Sequence, residues 1–99
     1  MLNMIIAFLA PFIIRQIDKY GHEIDWAKVK SDAEIRIRVL VPGKFFDAPA
    51  VDLANRVIDA AAGLMQNDEE MKKIVEMCKQ GRYLEAIKEL AAFLLSQMV

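Results

Sequence analysis

Residues 45–66 read FFDAPAVDLANRVIDAAAGLMQ, and the spacing of their apolar side chains predicts a helix whose surface is mostly hydrophobic. Wound at about 3.6 residues per turn, the stretch gathers Asp52, Asn55, Arg56, Asp59 and Gln66 on one narrow polar stripe. Val51, Leu53, Ala54, Val57, Ile58, Ala60, Ala61, Ala62, Leu64 and Met65 fill the rest. A helix apolar around so much of its girth belongs in the middle of a bundle or at an interface. Its start is signed by Asp47 as N-cap, by Pro49 in the first turn, and by Phe46 and Val51 at the spacing of a hydrophobic staple. Ala60, Ala61, Ala62 and Gly63 carry so little bulk that a second helix can approach closely there, which is expected inside the subunit.

Immediately upstream, Glu34 to Val39 alternate strictly between charged and apolar residues, a pattern that fits a strand. On a helix the same segment places Trp26, Val29, Ala33, Ile37 and Leu40 on one face. It also sets Asp32 with Arg36, and Glu34 with Arg38, at the i,i+4 spacing of acid-first ion pairs. No second alternating segment exists to pair with a strand, so 34–41 reads as helix; the β alternative requires a sheet formed between copies. Asp25 can cap this helix, and Ile24 with Val29 repeats the staple spacing. Ile35 and Val39 fall off the main apolar face, which gives the helix a second contact. The linker 41–46, broken by Pro42 and Gly43, turns the chain into the central helix, with Phe45 and Phe46 as lids over the core.

Residues 1–14, MLNMIIAFLAPFII, carry one polar side chain, Asn3. The run is shorter than the roughly 20 apolar residues of a membrane span. It also lacks the leading positive charge and small-residue cleavage site of a signal peptide. Pro11 is expected to kink or restart the helix, which then runs to about Tyr20 with Gly21 as its C′ residue. This segment is a core or interface helix; the alternative is a lipid-contacting anchor with Arg15 and Lys19 at the headgroups and Trp26 at the interface.

Downstream, Asn67 and Glu70 have the spacing of a capping box, and Met71, Ile74, Val75 and Cys78 form a one-sided apolar stripe. Gly81 ends that helix. Tyr83 opens the last one, with Leu84, Ile87, Leu90, Ala91, Leu94 and Met98 as its core face, Phe93 and Leu95 widening it, and Glu85 and Glu89 in water. The junction Lys79-Gln80-Gly81-Arg82-Tyr83-Leu84-Glu85-Ala86-Ile87 resembles the turn between the two helices of a tetratricopeptide repeat. There glycine allows a left-handed residue, the aromatic packs over the turn, and the small alanine lets the helices close. The resemblance covers Met71 to about Gln97 and has no second copy, so it implies an antiparallel helix pair and no peptide-binding groove.

These elements make an all-α fold, one domain over 1–99, as a bundle of four to five helices ending in an antiparallel hairpin from Met71 to Met98. Of the 99 residues 56% are hydrophobic, more than a core of this size readily hides, so the surplus is expected to meet another copy, another protein or lipid. Thirteen basic residues against fourteen acidic ones leave no field for nucleic acid. One cysteine, Cys78, excludes a disulfide scaffold and fits a reducing cytoplasm.

Catalysis finds few parts. His22 and Cys78 are the single residues of their types, Cys78 lies on an apolar stripe, and His22 sits beside Gly21 near a helix end. There is no metal-ligand spacing, phosphate loop or dinucleotide fingerprint, so no catalytic residue, cofactor or metal is expected. Asp68, Glu69 and Glu70 suit the positive end of a helix. The expected function is that of a non-enzymatic helical interaction protein, acting as a homo-oligomer or on a larger protein. Its contacts are Met4, Ile5, Phe8, Leu9, Phe12, Ile13, Phe93, Leu95 and Met98. The alternatives are membrane association through 1–14 and a small phage- or mobile-element-encoded binder of a host protein.

Overall fold

A computed structural model describes residues 2–40 and 44–98. Five α-helices follow one another among these: α1 (Leu2–Tyr20), α2 (Trp26–Leu40), α3 (Lys44–Ala62), α4 (Asp68–Lys79) and α5 (Tyr83–Met98). Single turns of 3₁₀ helix at Gly21–Glu23 and Gly63–Gln66 join α1 to α2 and α3 to α4. The segment 34–41 is therefore helical over its described part, and its alternation reflects two faces of one helix. Residues 41–43 and the side chains of His22, Leu40, Lys44, Phe45, Phe46, Asp47, Ala48, Met65 and Asp68 lie outside what is described.

Two helices share the middle of the bundle. α1 packs against α3, α4 and α5, and α3 against α1, α2 and α5, while α4 pairs with α5. Ile5, Ile6, Leu9, Ala10, Phe12, Ile13, Ile14 and Ile17 are all buried along α1, and Ala50, Ala54, Val57, Ile58 and Ala61 among the described side chains of α3. Each large aliphatic among them contributes roughly 2 kcal/mol through burial. The helix assignment continues across Pro11, so the expected restart does not occur; what the ring costs is the one hydrogen bond its missing N–H cannot give to Ala7.

At its start α3 differs from expectation. It begins at Lys44, so Asp47 is inside the helix and not its N-cap, and Pro49 falls in the second turn. The proline's fixed φ suits a helix, and the loss is again a single bond, to the carbonyl of Phe45. The α-helix closes at Ala62, a turn before Gln66, and Gly63 is exposed with open space where a Cβ would stand. No helix approaches there; in that run it is Ala61 that is fully buried.

Two helix starts are closed by side chains and one helix end by a backbone turn. Asp25 Oδ1 accepts from the N–H groups of Ala27 and Lys28 at 3.1 and 3.3 Å. Asn67 Oδ1 accepts from Glu70 N–H at 3.1 Å, but Asn67 N–H donates to Leu64 O, leaving the capping box half made. After α4, Arg82 N–H reaches Met77 O at 2.9 Å and Gly81 N–H reaches Cys78 O at 3.1 Å, with Gly81 at φ 76°. That pair of bonds is a Schellman closure, which needs a left-handed residue at Gly81.

In α5 the buried positions are Ala86, Leu90 and Leu94, with Ile87, Ala91, Phe93 and Met98 packed at their edge. Leu84 is 65% exposed and does not belong to the core face; α1 and α4 cover the side of α5 that carries Ala86, and Leu84 lies well round from it. Tyr83 is also exposed, extending its hydroxyl to Asp18 Oδ2 of α1 at 3.4 Å instead of folding over the turn.

Gly81→Ala forces an L-residue into a left-handed conformation and is expected to lower unfolding stability by about 1 kcal/mol. Gly63→Ala, with negative φ and open space, is expected to raise it by about 0.5 kcal/mol. Urea denaturation followed by circular dichroism measures both.

Candidate interaction surfaces

The apolar residues at the two chain ends mainly cover each other. Ile5, Leu9 and Ile13 are completely buried and Phe12 is 7% exposed, so these four, expected as partner contacts, belong to the subunit's own core. They face inward because α1 has helices on three sides. Phe8, Phe93 and Met98 are half-buried against the core. Met4 and Leu95 alone of that set stand out as exposed large hydrophobics. Near them, Asn3, Ile6, Ala7, Ala91, Ala92 and Leu95 line a groove of about 220 Å³ between α1 and α5.

The accessible surface of the chain is 6117 Å², against about 5,700 Å² for a folded monomer of this mass. Many of the apolar side chains are nonetheless buried in the subunit's own core. What remains outside is localised. On α2, Ile35 is 62% and Val39 80% exposed, one helical turn apart. They are the residues that fall off the main apolar face, which consists of Val29, Ala33 and Ile37. Lys30 Nζ holds that face of α2 to α3 through Asp59 at 2.6 Å.

The charges around this surface are arranged unevenly. Arg38 pairs with Glu34 at 2.7 Å, as the spacing predicts. Arg36 does not pair with Asp32; its guanidinium lies over the Phe12 ring at 4.5 Å from the centroid, sheltering the rim of the α1 core. Arg56 pairs with Asp52 within α3, and Arg82, just before α5, pairs with Glu85 in its first turn. Trp26 is half-buried, and its indole Nε1 is enclosed with no hydrogen-bond partner among the described residues, so it is not presented to a membrane interface.

A polar cluster fastens the hairpin. Lys73 Nζ of α4 meets Glu89 Oε1 of α5 at 2.8 Å, so Glu89 is not simply a solvated residue. Glu70 lies against the same pair. Burial, then the hydrogen bond to Glu89, raises the Glu70 carboxyl above the usual glutamate range. The Lys73 hydrogen bond, followed by that from Glu70, holds Glu89 below it. Cys78 is buried, and burial followed by the nearby Asp18 charge pushes its thiol up. The thiol form therefore prevails at neutral pH, the opposite of what a nucleophile needs.

Among the described residues no group of three or more His, Cys, Asp or Glu side chains converges, and no helix is long and apolar enough to cross a membrane. No family model matches the chain, and no curated protein or solved structure is similar to it.

Two outcomes follow from this placement. Ile13→Ala is expected to cost about 3 kcal/mol in denaturant unfolding, while Met4→Ala stays within about 0.5 kcal/mol; equal, small effects would make α1 an appendage and not a core. For the polar cluster, a carboxyl raised in the folded state disfavours folding above its pKa, and its contribution improves as pH falls through that value. Glu89, lowered, does the reverse: its stabilisation is present above the unfolded pKa and lost as pH falls through the folded one. Glu70→Gln is therefore expected to raise the thermal midpoint slightly at pH 7. It should also lack the stability that wild type regains as pH falls through the raised Glu70 value toward the ordinary 4.5, so the gap between the two closes over that range, measured as melting midpoint against pH.

Proposed function

We propose that this protein is a non-enzymatic helical interaction protein, acting by self-association or by attachment to a larger protein, with the outer face of α2 as its principal contact. The observation that carries this reading is the exposure of Ile35 and Val39. Both are β-branched and cost helix stability relative to straight-chain residues, so local propensity does not account for them. Neither packs in the subunit, so its core does not account for them either. A contact outside the subunit does. The exposed Met4 and Leu95 beside the α1–α5 groove offer a second, smaller surface on the same reading.

Attachment to a membrane through 1–14 has less support, because the residues that would enter lipid are the ones buried among α3, α4 and α5. A binder of a host protein, of the kind mobile elements encode, would use the same α2 face.

Light scattering coupled to size exclusion tests the self-association form. The wild-type chain is expected to exceed its monomer mass of 11.2 kDa as concentration rises. The double substitution Ile35→Glu with Val39→Glu is expected to return it to that mass with unchanged helicity. A wild-type monomer at every concentration overturns self-association. For attachment to a larger protein, the same variant must lose the cross-linked species that the wild-type chain forms in its own cell.

A further inference from the structure

Beside the α2 contact face, at the seam with α1, Phe8, Pro11, Phe12, Arg15 and Arg36 enclose a hollow of about 140 Å³. Its floor is apolar and its two polar walls are both arginines. Of the other three arginines, Arg38 and Arg56 each hold a carboxylate within their own helix, and Arg82, just before α5, holds Glu85 in its first turn. Arg15 and Arg36 form no ion pair among the described residues, although an acid lies within one turn of each. Asp32 precedes Arg36 by four residues, the spacing at which Glu34 does pair with Arg38. Asp18 follows Arg15 by three and accepts instead from the Tyr83 hydroxyl. Arg36 is held over Phe12, an attachment through the face of the guanidinium that leaves its in-plane N–H donors to another acceptor.

We infer that this hollow receives a carboxylate on a short apolar stem, presented by a partner protein whose adjoining apolar side chain rests on Ile35 and Val39. The inference rests on the proposed role of the α2 face and names the chemistry of what docks there. Steps of about 100° per residue around α2 place Val39 between Ile35 and Arg36 on its surface, so the apolar patch and the hollow are continuous. The Arg fork matches a carboxylate's two oxygens. The Phe8, Pro11 and Phe12 floor favours methylene groups over the sugars of a nucleic acid, and a net charge of -1 provides no field to concentrate a polyanion. The volume suits one side chain, not a folded element.

Butyrate, which carries a glutamate side chain's carboxylate on an apolar stem, and butyramide, its glutamine counterpart, probe the hollow by NMR titration of the full chain. Butyrate is expected to move the Nε–H signals of Arg15 and Arg36 and the ring signals of Phe8 and Phe12, and butyramide to leave them in place. Arg36→Gln is expected to weaken the butyrate response about tenfold, and Arg36→Lys comparably, because an ammonium lacks the fork. Arg15→Gln, at an exposed position where folding is not at stake, should produce its own loss. Equal responses to the two probes, no response to butyrate, or a stronger response to inorganic phosphate overturns the inference. Light scattering of the Ile35 and Val39 variant reads the α2 contact separately. Failure of that contact leaves the butyrate response intact, and failure of the hollow leaves the mass change intact.

Discussion

Burial of α1 is the constraint on which the rest of this structure depends. A helix carrying Ile5, Ile6, Leu9, Phe12, Ile13, Ile14 and Ile17 out of water needs neighbours on several sides, and α3, α4 and α5 supply them. The apolar faces of α3, α4 and α5 turn toward it, and that of α2 turns toward α3. The ends of the chain meet for the same reason: α5 covers α1, so the two most apolar stretches largely hide each other. A chain with this composition can then fold with a radius of gyration of 13.0 Å, the size of an ordinary domain of about 100 residues.

That arrangement limits what can be offered outside. With α1 enclosed, contact with other molecules falls to helix faces that the core does not recruit. On α2 the inward residues Val29, Ala33 and Ile37 leave Ile35 and Val39 facing water. Arg36 on the flank between these faces covers Phe12 and closes one side of the hollow at the α1 seam. The same helix therefore serves the interior with one face and presents an apolar and cationic surface with another. The polar cluster of Glu70, Lys73 and Glu89 has a different part. It holds α4 and α5 together at the surface, where ion pairs are weak and geometry decides more than charge.

Helix identity and most helix ends were legible in the residues. Asp25 and Asn67 cap as their side-chain chemistry predicts, and Gly81 closes α4 in a left-handed conformation. Val29, Ala33 and Ile37 of α2 and Met71, Ile74 and Cys78 of α4 face inward as read. Legibility failed where the deciding contact is distant in sequence. Nothing local distinguishes Ile5, Leu9 and Ile13 as core from the same residues as interface, because a buried isoleucine has the same pattern whichever chain buries it. Leu84 satisfies the spacing of a core face and is exposed. Asp32 and Arg36 satisfy the spacing of an ion pair, yet the aromatic ring of α1 takes the guanidinium.

By itself, then, the order of residues determined the all-α class, the hairpin at the end and the second face of α2, since each follows from periodicity and capping within a few turns. Only the tertiary structure decided that α1 shares the middle of the bundle with α3, that most of the apolar residues of α1 and α5 turn inward, and that two arginines flank an apolar hollow. Those are relations between helices, and their energies come from surfaces that meet only after the chain has folded back on itself.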